Sequence, residues 1–368
     1  MSPLKRKYLL RSFLFSGLAL VVMQLLVLDP FEREADFQLS DFFERAFERH
    51  VQKRISDDIV IVKVDKEGRD GIVRTARLVS EAGASVTTLD ILMDHEEEGD
   101  IHRASVLEGC GSNLVLPTTF LGRPHSSVYN SVSSALNGHI ELTTPADKGE
   151  TIRYYRSITD GSTSLAGIAA YTYRNGDVLL DGKDRLIDFS TAYFDELTPE
   201  EVADDPSCVA GRIALICNVN DFGDVHLTPL GPMSGALIQA HITDTILHER
   251  APHACPSWIP LLIAFFLCAF LFWPTLMLSF EKEKNDLAFF ILRIVQLLLL
   301  LLIYCLGAIL YVRYHFYIDL SICLLLIGSA SLTAECIIGI RAFRNYMKER
   351  KDAKPDHLEG SARKNEKE

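Results

Sequence analysis

The sequence predicts an α/β extracytoplasmic domain, a mostly parallel sheet flanked by helices, attached to four transmembrane α-helices. Three observations lead there. One apolar segment near the start is separated by a long polar head from three closely spaced apolar segments. Lysine and arginine gather beside these segments on one side only. Within the head, short β-branched runs alternate with stretches of helical spacing, the pattern of βαβ units and a parallel sheet.

The expected spans are 8–28, 257–280, 287–311 and 320–340. An apolar run of about 20 residues crosses the hydrocarbon core as a helix that satisfies its own backbone hydrogen bonds. Lys5, Arg6, Lys7 and Arg11 flank the first span, Lys282 and Lys284 lie between the second and third, and Arg341, Arg344, Lys348, Arg350 and Lys351 follow the fourth. Between the third and fourth there is only Arg313, with His315 and Asp319. Basic flanks are retained in the cytoplasm. Residues 1–7, the loop 281–286 and the tail 341–368 are therefore expected inside, the tail largely disordered, and the head 29–256 and loop 312–319 outside. Val27-Leu28-Asp29-Pro30 offers no small-x-small cleavage site, so the first span is read as a retained anchor. Four spans with little polar lining do not suit a transporter.

The net charge of −12 belongs to the head, because the tail from Arg341 is basic on balance. An acidic exported head does not invite nucleic acid. Cys110, Cys208, Cys217 and Cys255 lie in the head; that compartment permits disulfides whose pairing the sequence leaves open, but buried free thiols are the preferred reading. There is no C-x-x-C, so neither a redox motif nor a metal site is expected.

Along the head, Leu39, Phe42, Phe43, Phe47, Val51 and Ile55 recur at helical spacing among charged residues, an amphipathic helix. Ile59–Asp65 is nearly all β-branched without alternation, a strand buried on both faces. Helix 72–81 should stop before Gly83 in a left-handed turn. Strand 85–90 completes a right-handed βαβ unit. Helix 102–108, strand 113–120, strand 151–156, helix 164–173, strand 185–189, strand 212–218 and helix 235–248 follow. Stretches 122–138 and 191–208 read as polar or Pro-rich surface loops.

Asp65 and Asp90 each end an apolar strand. Ligands of open α/β sheets bind at that edge, and neighbouring strands would bring the two carboxylates together around a cation or a ligand amine. The alternative is that each caps the loop that follows. Asn218 ends another strand, and the Asp221–Asp224 turn and the Pro/Gly-rich Thr228–Pro232 loop behind it either present backbone N–H groups or serve as a turn that aims the last helix towards the membrane. There is no G-x-S-x-G, H-E-x-x-H, P-loop or G-x-G-x-x-G, so neither an enzyme nor a bound cofactor is expected.

Six stretches resemble the CHASE2 extracytoplasmic sensory domain in order and spacing: 36–49, 58–65, 83–92, 151–158, 211–218 and 224–247. The last is the most specific, joining Asp224-x-x-x-Thr228-Pro229 to Gly235-x-x-Ile238-Gln239-Ala240. It adds Asp224, Thr228 and Gln239 to Asp65, Asp90 and Asn218 as candidate ligand-binding residues. The segment Glu67–Arg74 departs from the family pattern in lacking Trp and Pro. The resemblance implies one span before the domain and three after it, in a bacterial cytoplasmic membrane. It also implies a sensor of an extracytoplasmic signal and a capacity to dimerise. Family members usually continue into a cytoplasmic output domain, for which the tail is too short, so the expected output is a signalling partner acting in trans. The second class considered is a scaffold component of an envelope complex, without a ligand.

Overall fold

The computed structural model describes residues 3–27, 39–119, 128–142, 150–256, 258–280 and 286–320, and beyond them 323–324, 326–327, 339–340 and 343–348. The chain divides into two compact units. One comprises residues 1–30, 256–307 and 319–368, and the other residues 31–255 and 308–318.

In the first unit, α1 (Pro3–Val27) packs along α8 (Trp258–Phe280). Ser12 Oγ donates to Ala269 O at 2.8 Å, and Phe13 meets Phe265 with ring centroids 5.7 Å apart. Small polar residues at such a seam let helices approach closely and bond across. Most of α9 (Asp286–Tyr314) also belongs here; its Leu297, Leu298, Leu301 and Leu302 are exposed. Among the described residues, Trp258–Leu278 and Phe290–Tyr314 are long and apolar enough to cross a membrane. The predicted fourth span, 320–340, lies for the most part outside the described residues, as do most of the tail and the loop 281–285.

The second unit is a three-layer α/β domain. Its described elements begin with α2 (Leu39–His50), β1 (Arg54–Lys63), α3 (Arg69–Glu81), β2 (Val86–Asp90), α4 (Asp100–Glu108), β3 (Leu114–Thr118) and β4 (Leu136–His139). Short strands β5 (Tyr154–Tyr155), β6 (Ile158–Thr159) and β7 (Ser162–Thr163) precede α5 (Leu165–Tyr173), and β8 (Arg185–Leu186) follows it. Then come β9 (Ala192–Leu197), α6 (Pro199–Asp204), β10 (Ile213–Cys217), the hairpin β11 (Val225–Thr228) and β12 (Gly231–Ser234), α7 (Gly235–Leu247) and β13 (His253–Ala254). The strand β14 (Phe316–Tyr317), from beyond α9, belongs to the same unit and pairs with β13.

Among the described residues, six parallel strands form the central sheet in the order β4-β3-β2-β10-β1-β9. The unbroken apolar run of β1 is explained by its place inside this sheet: Ile59 and Ile61 enter the layer of α5 and α7, while Val60 and Val62 enter that of α3, α4 and α6. Helix starts are fixed by side-chain caps. Ser164 accepts from Gly167 N, Ser234 from Leu237 N, and Thr198 forms a capping box with Glu201. Gly83 takes φ +88° after α3, as the left-handed stop requires.

Several expectations are corrected. Helix α2 ends at His50, and Ile55 belongs to β1, because the chain leaves the helix at residues 51–53 to pair with β9. Residues 191–208 are not a surface loop: they supply edge strand β9 and helix α6, with Val202 buried. Residues 128–138 contribute most of β4 and the fully buried Tyr129. The strands expected at 151–156 and 185–189 shrink to the two-residue pair β5–β8, which is antiparallel and outside the main sheet. The head cysteines Cys110, Cys208, Cys217 and Cys255, by contrast, are free thiols as the sequence suggested.

Candidate functional site

Strands β1, β10 and β2 end in register, with Lys63, Cys217 and Asp90 side by side. Because β10 lies between β1 and β2, Asp65 and Asp90 are not on neighbouring strands, and the carboxylate pair anticipated from the sequence does not form. Asp65 instead accepts from Asn220 N at 3.0 Å and Asn220 Nδ2 at 2.8 Å, capping the loop after β10. This is the capping role that was the alternative. Thr228 is buried at the end of β11, and its hydroxyl donates to Gly231 O at 2.7 Å, closing the hairpin that Gly231 turns at φ +120°.

The other four candidates converge. Asp90, Asn218, Asp224 and Gln239 line one cleft of about 640 Å³ at the carboxyl edge of the sheet. Asp90 ends β2, and Asn218 follows β10 directly. Asp224 closes the 3₁₀ turn Phe222–Asp224, which Asp221 caps by accepting from Gly223 N at 2.8 Å. Gln239 lies one turn into α7. The approach of Asp224 to that helix depends on Gly235, where a Cβ would stand 2.3 Å from the Asp224 carboxylate.

Asp221, already singled out with its turn, lines the cleft too, as do Glu141 and His226, which the sequence did not single out. His226 Nε2 lies 2.9 Å from Asp224 Oδ1. The D-x-H spacing was visible, since alternate residues of a strand share a face. Glu141 was not accessible to that reasoning, because it follows β4, a strand the sequence did not reveal.

The electrostatics are one-sided. Burial pushes the Asp90 carboxyl up to about 7, and the charge of nearby Asp224 adds to the effect. Gln239 donates from Nε2 to Ile140 O at 2.8 Å; its Oε1 is buried and among the described residues has no hydrogen-bond partner. Asn218 Oδ1 likewise has no partner among the described residues. Among the described residues no group of three His, Cys, Asp or Glu is placed to hold a metal ion. His241 on α7 is a core residue, packed on Phe189 and Phe194 and kept neutral by burial, which lowers it to about 4.

A second polar cluster joins α2 to the rest of the domain. Arg153 donates from Nε and Nη2 to the two oxygens of Asp41 at 2.7 Å each. Glu44 accepts from the Ser190 and Tyr311 hydroxyls, and burial raises its carboxyl to about 7.

The fold and cleft thus define a parallel α/β domain with a polar, acid-lined recess at the sheet edge where ligands of such sheets bind, in a chain that also carries long apolar helices. The CHASE2 domain matches residues 17–276, and the chain belongs to that family of extracytoplasmic sensory domains. No curated protein and no solved structure matches the chain.

Proposed function

We infer that the protein is a multi-pass receptor of the bacterial cytoplasmic membrane, not an enzyme. Its extracytoplasmic domain binds a small molecule in the cleft lined by Asp90, Asn218, Asp224 and Gln239, and it relays occupancy to a separate cytoplasmic partner. The observation that carries this reading is the cleft itself: a recess of ligand size with an unpartnered buried acceptor, in a domain of a sensory family.

The relay is supported by connectivity. Helix α7 starts at the cleft and is followed by β13, which pairs in parallel with β14, so that His253 and Cys255 donate to His315 O and Tyr317 O at 2.8 Å each. Strand β14 follows directly on α9, and Tyr311 on the last turns of α9 bonds Glu44 of α2. A shift of α7 would therefore be felt at the outer end of α9. Coupling of this kind requires ligand affinity to differ between two packing states.

The four-span topology, with a fourth helix at 320–340, rests on the distribution of basic residues and on the pairing of β14 with the head, which supports the loop 312–319 lying on the head's side. Alkaline phosphatase fused after residue 250 should be active, and fused after residue 350 silent. Thermal-shift screening of the full-length protein in neutral nanodiscs against extracytoplasmic small molecules should yield a stabiliser whose effect is lost in Asp90→Asn with Asp224→Asn. A broad panel without any stabiliser contradicts the receptor reading.

A further inference from the structure

The sensing reading above leaves the ligand's chemistry open, and the cleft constrains it. Its acidic side chains are Asp90, Glu141, Asp221 and Asp224, and among the described residues no lysine or arginine lines it. Among the described residues Asp90 has neither a hydrogen-bond donor nor a cationic partner, and its only charged neighbour of consequence is another carboxylate. Gln239 is 4% exposed. Its amide nitrogen is committed to Ile140 O, so the orphaned oxygen faces its surroundings as an acceptor. A buried acceptor left unsatisfied costs about 1–3 kcal/mol, and Gln239, a residue of the cleft lining, carries one for which no described residue supplies a donor.

We propose that the cleft recognises a small organic cation, an ammonium- or guanidinium-bearing molecule whose N–H donors are received by Asp90, Asp224 and the Gln239 amide oxygen. This inference rests on the receptor reading and specifies its ligand class. A bare metal ion is disfavoured by the geometry: calcium and magnesium need six or more converging oxygens, and no three acidic, His or Cys side chains among the described residues converge. An ammonium asks less, since three donors diverge from one nitrogen. The apolar residues Ile91, Leu92, Ile140 and Leu142 also line the recess and suit a short hydrocarbon or aromatic body.

The test is calorimetric titration of the full-length protein in phosphatidylcholine nanodiscs with putrescine, agmatine and phenethylamine. Calcium chloride, succinate and glucose serve as comparisons. At least one amine should bind saturably and more weakly as salt rises. Asp90→Asn, which removes a charge without orphaning a donor, should weaken it roughly 10- to 100-fold, the range for a hydrogen bond to a charged group. Circular dichroism of the variant should remain that of the parent. Binding of succinate or glucose, lost on Gln239→Leu, with no amine response would overturn the cationic assignment and leave the receptor standing. Binding of calcium alone, abolished by Asp90→Asn, would overturn the organic part. Amine binding that Asp90→Asn and Gln239→Leu both leave intact would overturn the assignment of the site. If no amine, calcium, succinate or glucose binds, the cationic assignment fails, and the receptor reading then fails only if the broad screen is also blank.

Discussion

Replacing Arg153 by methionine is expected to destabilise the α/β domain more than any surface substitution. The guanidinium is 1% exposed and meets both oxygens of Asp41 in a fork of two 2.7 Å bonds. Methionine fills much of the stem's volume but leaves the Asp41 carboxylate buried without that fork. Breaking a buried ion pair from one side costs about 3–5 kcal/mol, because the remaining charge keeps its desolvation penalty and loses the two-pronged bond. At roughly 2–4 °C per kcal/mol for a domain of this size, the melting temperature should fall by roughly 6–20 °C. The assay is thermal unfolding of the full-length protein in nanodiscs by circular dichroism, with hydrogen exchange following residues 39–50. Helix α2 should exchange first, since this pair ties it down. The double variant Asp41→Leu with Arg153→Met removes both charges and should recover most of the loss. A loss below about 1 kcal/mol in Arg153→Met, or a double variant less stable than the single, would refute the reasoning.

Other outcomes follow from the same structure. Glu44, raised from 4.5 to about 7 by burial, holds a proton when folded that the unfolded chain releases. Stability should therefore fall as pH rises from about 4.5 through about 7, by up to about 3 kcal/mol. Glu44→Gln should flatten that slope in urea unfolding across the window; the other groups facing Glu44 are Asp188, Ser190 and Tyr311. Asp90, raised from 3.8 to about 7, must lose its proton to receive an ammonium, so amine affinity should increase as pH rises through about 7 and become flat in Asp90→Asn. Asp221, Asp224, His226 and Glu141 share that cleft, and Cys217 beside Asp90 stays a thiol because burial pushes it well above 9. Asp65→Ala should cost about 1 kcal/mol in chemical unfolding through the lost Asn220 cap and leave ligand affinity unchanged. Gly235→Ala should weaken ligand binding in the same titration, because the added methyl displaces the Asp224 carboxylate.

The elements that were legible from the residues are those whose pattern is local. The β-branched run Ile59–Val62 read as a strand covered on both sides, and Gly83 as a helix stop. The order of the sheet was not legible, because it is set by pairings between strands far apart in the chain. The insertion of β10 between β1 and β2 is what separates Asp65 from Asp90 and turns the first into a cap. It also gives Asp90 a different neighbour, Asp224, from a turn more than a hundred residues later. Strand β9 and helix α6 were hidden by their polar faces, although Thr198 and Glu201 spelled a capping box. Short β4 was hidden by its glycine and asparagine, and with it went Glu141. Gln239 was found through the likeness of its stretch to the family, and neither helical spacing nor composition distinguished it. The Glu44–Tyr311 contact joins positions 267 residues apart and no sequence pattern announces it.

The most direct measurement is hydrogen–deuterium exchange on the intact protein in nanodiscs, with and without a saturating amine identified by titration. Exchange should slow at the ends of β2 and β10, in the turn 221–226 and along α7, continuing to 253–255 and 316–317. Protection confined to other parts of the domain, or none along α7 at full occupancy, would contradict the receptor reading.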